Sequence, residues 1–191
     1  MIWGLVVEGD RDAAAYPELI RKIRNDVDFI LAEPCGNDVK LMRQFVNWLK
    51  HFEWHADHRV EKALVIRDSD CEDSDVWEER MGQLLERCRF APRFPVHFHA
   101  TKCEIETWLL ADERAINQVA TSRGKGRAVP PTTIQLESHR DAKELFRKAL
   151  SGVGLPADPR VYQEIARAVN IDRIAARCQH FERFRAKVMA C

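Results

Sequence analysis

Twice in this chain a hydrophobic strand runs straight into acid. Ile2-Trp3-Gly4-Leu5-Val6-Val7 is followed by Glu8-Gly9-Asp10-Arg11-Asp12, and Ala63-Leu64-Val65-Ile66 by Arg67-Asp68-Ser69-Asp70. Apolar runs without alternation mark strands buried on both faces, as in a parallel sheet flanked by helices. Parallel neighbours end at the same edge and lie about 4.8 Å apart, so the two acidic ends are expected to meet. Carboxylates held that close repel and raise each other's pKa. A hard divalent cation, which takes carboxylate and water oxygens, removes the conflict.

Between and after these strands the spacing turns helical. Residues 12–24 place Ala13, Ala14, Tyr16, Leu19, Ile20 and Ile23 on one face. Residues 38–52 do the same with Val39, Met42, Phe45, Val46 and Leu49, behind Asn37 or Asp38 as cap. Further strands are expected at 28–32 and 94–100, where Pro95 argues for an edge or a strand start. Further helices are expected at 73–88 and at 104–119, the latter with Ile105, Trp108, Leu109, Ile116 and Val119 inward. Strands alternating with helices predict right-handed βαβ units. The expected fold is α/β: a doubly wound, mostly parallel four-stranded sheet with helices on both faces, plus a C-terminal helical extension. The alternation stops near residue 120. The basic loop Ser122-Arg123-Gly124-Lys125-Gly126-Arg127 follows, closed by Pro130-Pro131, then helices at about 139–150, 158–168 and 171–188. Residues 1–120 are thus read as the α/β domain, and 121–191 as a loop and helical extension packed on it.

Charge divides the same way. The 191 residues balance 30 Lys and Arg against 30 Asp and Glu, but residues 1–120 hold 16 basic and 23 acidic residues and the remainder 14 and 7. The acidic part suits a cation site. The basic part suits a phosphate-bearing partner, or docking onto the acidic part. No apolar run approaches the roughly 20 residues that span a bilayer, and the N-terminus lacks a basic n-region and a cleavage site; no membrane association and a cytoplasmic location are expected. The six cysteines (35, 71, 88, 103, 178 and 191) form no C-x-x-C pair, so they read as reduced thiols with neither structural zinc nor disulfide.

In open α/β sheets the functional crevice lies outside the carboxyl ends of the strands. Glu8, Asp68 and Asp70 are the candidates there. Gly9 permits a sharp turn that returns Asp12 on the next helix, as ligand or as cap. Asp68 and Asp70 point the same way if strand geometry persists.

Val7-Glu8-Gly9-x-x-Asp12 followed by Asp68-x-Asp70 after a later strand resembles the Toprim domain of topoisomerases, bacterial primases, small RNase M5-type nucleases and the overcoming-lysogenization-defect (OLD) nucleases. Glu106-Thr107-Trp108-Leu109-Leu110-Ala111-Asp112 is similar to an E-x-W-L-L-A-D stretch of small bacterial OLD-like Toprim proteins, and Asp141-Ala142-Lys143-Glu144-Leu145 to a D-P-K-E-L segment there. The resemblance covers residues 2–112 well and the tail loosely. It implies a Toprim-like sheet and a nuclease using Mg²⁺ or Mn²⁺. Glu8, Asp12, Asp68, Asp70 and Glu106 would be the metal ligands; Glu8, Asp68, Asp70 and Lys143 would be catalytic. Two ions would clamp the attacking and leaving oxygens, with Lys143 neutralising transition-state charge. The substrate would be nucleic acid, with DNA favoured, and phage defence beside a partner ATPase is implied. Glu104 competes with Glu106, since residues two apart on a helix lie about 200° apart; the motif favours Glu106. Asp112 reads as a cap or buried polar contact.

Arg123, Lys125 and Arg127 are candidate nucleic-acid contacts, against a plain solvated loop. Arg167, Arg173, Arg177, Arg183 and Arg185 form a basic array that would bind nucleic acid if they share a face. His51 and His55, near Asp57 and His58, read as a solvated helix end, and His97 and His99 as structural histidines. Two other functions compete with hydrolysis. One is a non-catalytic Toprim module that binds an ATPase or nucleic acid. The other is phosphoryl transfer through Asp68 or Asp70 as nucleophile.

Overall fold

The two acid-terminated strands are adjacent and parallel at the centre of the sheet. The computed structural model describes residues 1–55, 59–131 and 135–190; Asp57, His58 and Cys191 lie outside them. β1 (Ile2–Val6), β2 (Asp28–Leu31), β3 (Lys62–Asp68) and β4 (Val96–Thr101) form a four-stranded parallel sheet in the order β2-β1-β3-β4. Trp3 pairs with Lys62 and Val6 with Val65, which brings the C-terminal ends of β1 and β3 side by side. Pro95 directly precedes β4, an edge strand whose start needs no ladder donor there.

Both sheet faces are covered, which is why β1 and β3 read as continuous apolar runs. Val6, Ala63 and Val65 face one core with Phe45, Leu49 and Phe52. This side is packed by α2 (Asp38–Glu53), whose Asn37 cap accepts the Lys40 N–H at 2.9 Å, and by α3 (Ser74–Arg87), capped by Asp73. Gly4 is required for the close approach of α2: a Cβ there would lie 2.4 Å from Phe52 Cδ2.

Trp3, Leu5, Leu64 and Ile66 face the opposite core. It is closed by α1 (Asp10–Ile23), α4 (Ile105–Leu110), α5 (Glu113–Ser122), α6 (Ala142–Gly152), α7 (Pro159–Ala168), α8 (Ile171–Arg177) and α9 (Gln179–Met189). Phe146, Val161, Tyr162, Ile165, Phe181 and Phe184 of the C-terminal helices are fully buried in this same cluster. Each such side chain contributes about 1.5–3 kcal/mol of burial. The extension is therefore one layer of a shared core.

Two expected helices are each divided. The 104–119 helix breaks between Leu110 and Glu113, where the buried Asp112 accepts the Asn170 N–H at 2.8 Å and pairs with Arg173. A buried carboxylate demands such partners, and meeting them takes Asp112 out of helical geometry. The 171–188 helix breaks at Cys178, whose φ of −129° is extended. The reading of all cysteines as reduced thiols is corrected: Cys71 and Cys103 form a disulfide, while Cys35, Cys88 and Cys178 are free. Asp68 lies opposite Thr101 in the ladder, and each chain then turns through a cysteine, so the two sulfurs meet. Their 32-residue separation carries no trace of this in sequence.

Candidate active site at the carboxyl edge of the sheet

Glu8 lies just past β1, and its Oε1 accepts the backbone N–H of Asp68 at 3.0 Å. The first acidic strand end thus points at the second. Gly9 turns the chain, and its N–H donates to Asp12 Oδ2 at 2.9 Å, folding Asp12 back over the turn. Glu106, on α4, accepts the phenol O–H of Tyr162 at 2.8 Å. Glu8, Asp12, Asp68, Glu106 and Lys143 line a single cleft of about 410 Å³, walled also by Gly9, Asp10, Arg11, Pro34, Gly36 and Pro159. It opens at the crevice position expected of an open parallel sheet.

The electrostatics of the cleft are adverse to its own charges. Burial pushes the Glu8 carboxyl up to about 7, against the Asp68 N–H and the Arg67 guanidinium, which favour its charge. Burial and then repulsion from Glu106 and Glu8 push Asp12 up to about 7. Asp68 rises well above the carboxylate range through burial and the charges of Asp12, Glu8 and Glu106. Burial disfavours the charge on Lys143, but Glu106, Glu104 and Asp68 outweigh it and raise its pKa. Oxygen donors of this kind suit a hard divalent cation. Glu8, Asp12, Asp68 and Glu106 are the side chains that would hold one. As placed, no group of three or more His, Cys, Asp or Glu among the described residues is arranged to hold an ion. Internal donors occupy three of these carboxylates, so closing a coordination shell requires side-chain rotation.

Several expected residues stand elsewhere. Strand geometry ends at Asp68. Asp70 adopts a left-handed φ of 50°, is exposed and does not line the cleft, so it does not share the direction of Asp68. Its charge still reaches Glu8 weakly. Glu104 precedes α4 as its N-cap residue and engages Lys143, taking its backbone N–H at 3.0 Å and its Nζ at 3.4 Å. Glu106 is the one facing the cleft. Arg123 is held by Glu164 through two contacts of 2.8 Å, Lys125 packs by Gly154, and Arg127 lines a separate cleft with Lys148. The tail arginines serve internal docking: Arg167 pairs with Glu18, Arg173 with Asp112 and Glu113, Arg177 with Glu113, and Arg183 with Asp75 and Glu78. His99 is buried between Trp108 and Phe184, and burial holds its pKa well below the usual histidine range.

Two residues of the site escaped sequence reasoning. Arg67 is buried, with its guanidinium 3.6 Å from the Trp77 ring centre, Nε donating to the Asp68 carbonyl at 2.7 Å and lying 4.0 Å from Glu8. A charged residue inside an apolar strand was the available signal. Tyr162 shows only as an apolar position on a tail helix; nothing in sequence pairs it with Glu106.

Fold and site define an α/β protein with an acidic cleft at the carboxyl edge of a parallel sheet. The family model described as domain of unknown function DUF4276 matches residues 7–189, and the chain belongs to that family. No curated protein matches it. Among solved structures it is similar to the C-terminal region of the Burkholderia pseudomallei OLD protein, at TM-score 0.45 and 16% identity over 97% of this chain and 98% of that one. Among the described residues no helix is long and apolar enough to cross a membrane.

Proposed function

We propose that this protein is a Mg²⁺- or Mn²⁺-dependent phosphodiester hydrolase of Toprim type acting on nucleic acid, with DNA the first substrate to test. One observation carries this reading. Four carboxylates from three separate segments meet a lysine in one cleft, where three of them are pushed above the ordinary carboxylate range. A bound divalent ion would supply charge neutralisation and an acidified water. Glu8, Asp12, Asp68 and Glu106 provide its oxygens. Asp68 N–H and Arg67 orient Glu8, the Gly9 N–H orients Asp12, and Tyr162 orients Glu106. Lys143 would meet the phosphoryl charge once released from Glu104. A partner ATPase and a role in phage defence are expectations of the OLD-like resemblance, and a cytoplasmic location is an expectation of the apolar pattern.

The test is plasmid incubated with Mg²⁺ or Mn²⁺. The expected outcome is cleavage by the wild type and a loss of at least about 100-fold in Glu8→Ala and Asp68→Ala. Equal product from all three would remove the metal-nuclease reading.

The non-catalytic module has one observation in its favour: the carboxylates are not yet arranged around an ion. It predicts nucleic-acid or ATPase binding that survives both substitutions. An aspartate nucleophile has less support, because burial and three acidic neighbours disfavour charge on Asp68, and Asp70 lies outside the cleft.

A further inference from the structure

Of the two cations that line the cleft, one pairs with no carboxylate among the described residues. Arg11 stands on its wall, one residue before Asp12. Neutral groups fix its guanidinium: Nε donates to the Ala157 carbonyl at 3.1 Å, and the guanidinium carbon lies 5.4 Å from the centre of the Tyr162 ring. Arg11 makes no ion pair among the described residues. Several other cations differ. Lys143, the other cation of the cleft, is engaged by Glu104. Arg123, Arg167, Arg173 and Arg183 each have a carboxylate. Arg11 is thus a half-buried positive charge on the cleft wall, held among the described residues by a carbonyl and an aromatic ring.

Its position is tied to the acids. The phenol beneath Arg11 is the same one that donates to Glu106, so a single side chain sets the spacing between guanidinium and carboxylate. A ligand matching both sides must present negative oxygen to Arg11 and to the carboxylate-held cation together. A phosphodiester does this with its two non-bridging oxygens, and charge-assisted bonds from arginine to such oxygens are strong.

We propose that Arg11 is the phosphate anchor of the cleft, gripping a backbone phosphodiester of the nucleic-acid strand. This rests on the phosphodiesterase reading above and names the side chain that seats its substrate.

The experiment is fluorescence anisotropy with a labelled DNA single strand in Ca²⁺, between about 50 and 200 mM salt, for the wild type, Arg11→Gln and Arg11→Lys. Unfolding temperatures are measured alongside. The expected result is binding about tenfold weaker for Arg11→Gln, and a log–log salt slope shallower by about 0.7, one phosphate contact on a single strand. Arg11→Lys keeps the slope, because it keeps the charge. If wild type and Arg11→Gln bind with the same affinity and slope, the anchor is wrong while the nuclease reading stands. If Arg11→Lys fails as badly as Arg11→Gln and both unfold earlier, Arg11 merely packs on Tyr162 and the proposal is overturned. If the wild type itself shows no salt-dependent binding, the phosphodiester reading falls and takes the anchor with it.

Discussion

The acidic cleft and the C-terminal helical layer handle charge in opposite ways. In the helical layer opposite charges are matched: Arg167 on Glu18, Arg173 and Arg177 on Glu113, Arg183 on Asp75 and Glu78. The excess of base in residues 121–191 is largely spent on the excess of acid in the first part. In the cleft like charges are gathered: burial, and then acidic neighbours, push Glu8, Asp12 and Asp68 toward protonation. Matched pairs of this kind need no further explanation, since buried carboxylates such as Glu18 and Glu113 demand a partner. Gathered like charges cost stability, and a fold keeps them where a ligand repays it. The contrast sets the sheet edge apart as the candidate site, while the tail arginines serve docking.

The disulfide offers the largest perturbation of the acidic side, because Cys71–Cys103 ties the loop after β3 to the loop that leads into Glu104 and Glu106. Closing a loop of 32 residues is worth about 3–4 kcal/mol in the unfolded chain. Dithiol reduction is expected to lower the urea midpoint accordingly, and to raise the thiol titre of the denatured protein by two, to six. Six thiols before reduction would show that the bond does not form. Arg67→Met comes next. It removes the buried cation that opposes the acids and leaves the Asp68 carbonyl and Glu8 without it. A loss of about 3 kcal/mol is expected by denaturant unfolding, with the penalty growing as pH rises; a neutral result would mean that Arg67 is only a packing element on Trp77.

Glu8→Gln is smaller and opposite in sign. The folded pKa of Glu8 lies above its ordinary 4.5, at about 7. Its contribution is therefore complete below pH 4.5 and lost as pH rises through 7. Above that the metal-free wild type is expected to be less stable than Glu8→Gln by about 2 kcal/mol: a shift from 4.5 to about 7 sets a ceiling of about 3.5 kcal/mol at about 1.4 kcal/mol per unit, and solvent at the open cleft screens part of it. The two should converge near pH 4. Parallel melting curves across this range would show that Glu8 carries no stored repulsion. The smallest effect belongs to the matched side. Arg185→Ala, which breaks partly exposed contacts to Glu182 and Asp172, is expected to stay within about 0.5 kcal/mol. A larger loss would make the tail pairs more than docking contacts.

What sequence could show follows from these same regions. Continuous apolar strands ending in acid have one economical explanation, so β1, β3 and the meeting of Glu8 with Asp68 were legible. The cap of α2 was legible as Asn37 or Asp38 because capping is local, and the structure selects Asn37. Asp70 was misplaced because strand alternation was extended two residues past the strand's end, into a left-handed turn. The helix breaks at Asp112 and Cys178 are tertiary events: a buried carboxylate finding Asn170 and Arg173, and a thiol seated in the core. The same holds for the disulfide, for Tyr162 on Glu106, and for the arginine pairs that occupy the tail. None of these leaves a mark within its own window of sequence.

Calorimetric titration of Mn²⁺ into the metal-free wild type at pH 7.5, beside Asp68→Asn, tests most directly whether the gathered carboxylates form a cation site. Saturable binding by the wild type, accompanied by a higher unfolding temperature and lost in Asp68→Asn, is the predicted result. No heat and no shift in the wild type, or binding that Asp68→Asn retains undiminished, would contradict it.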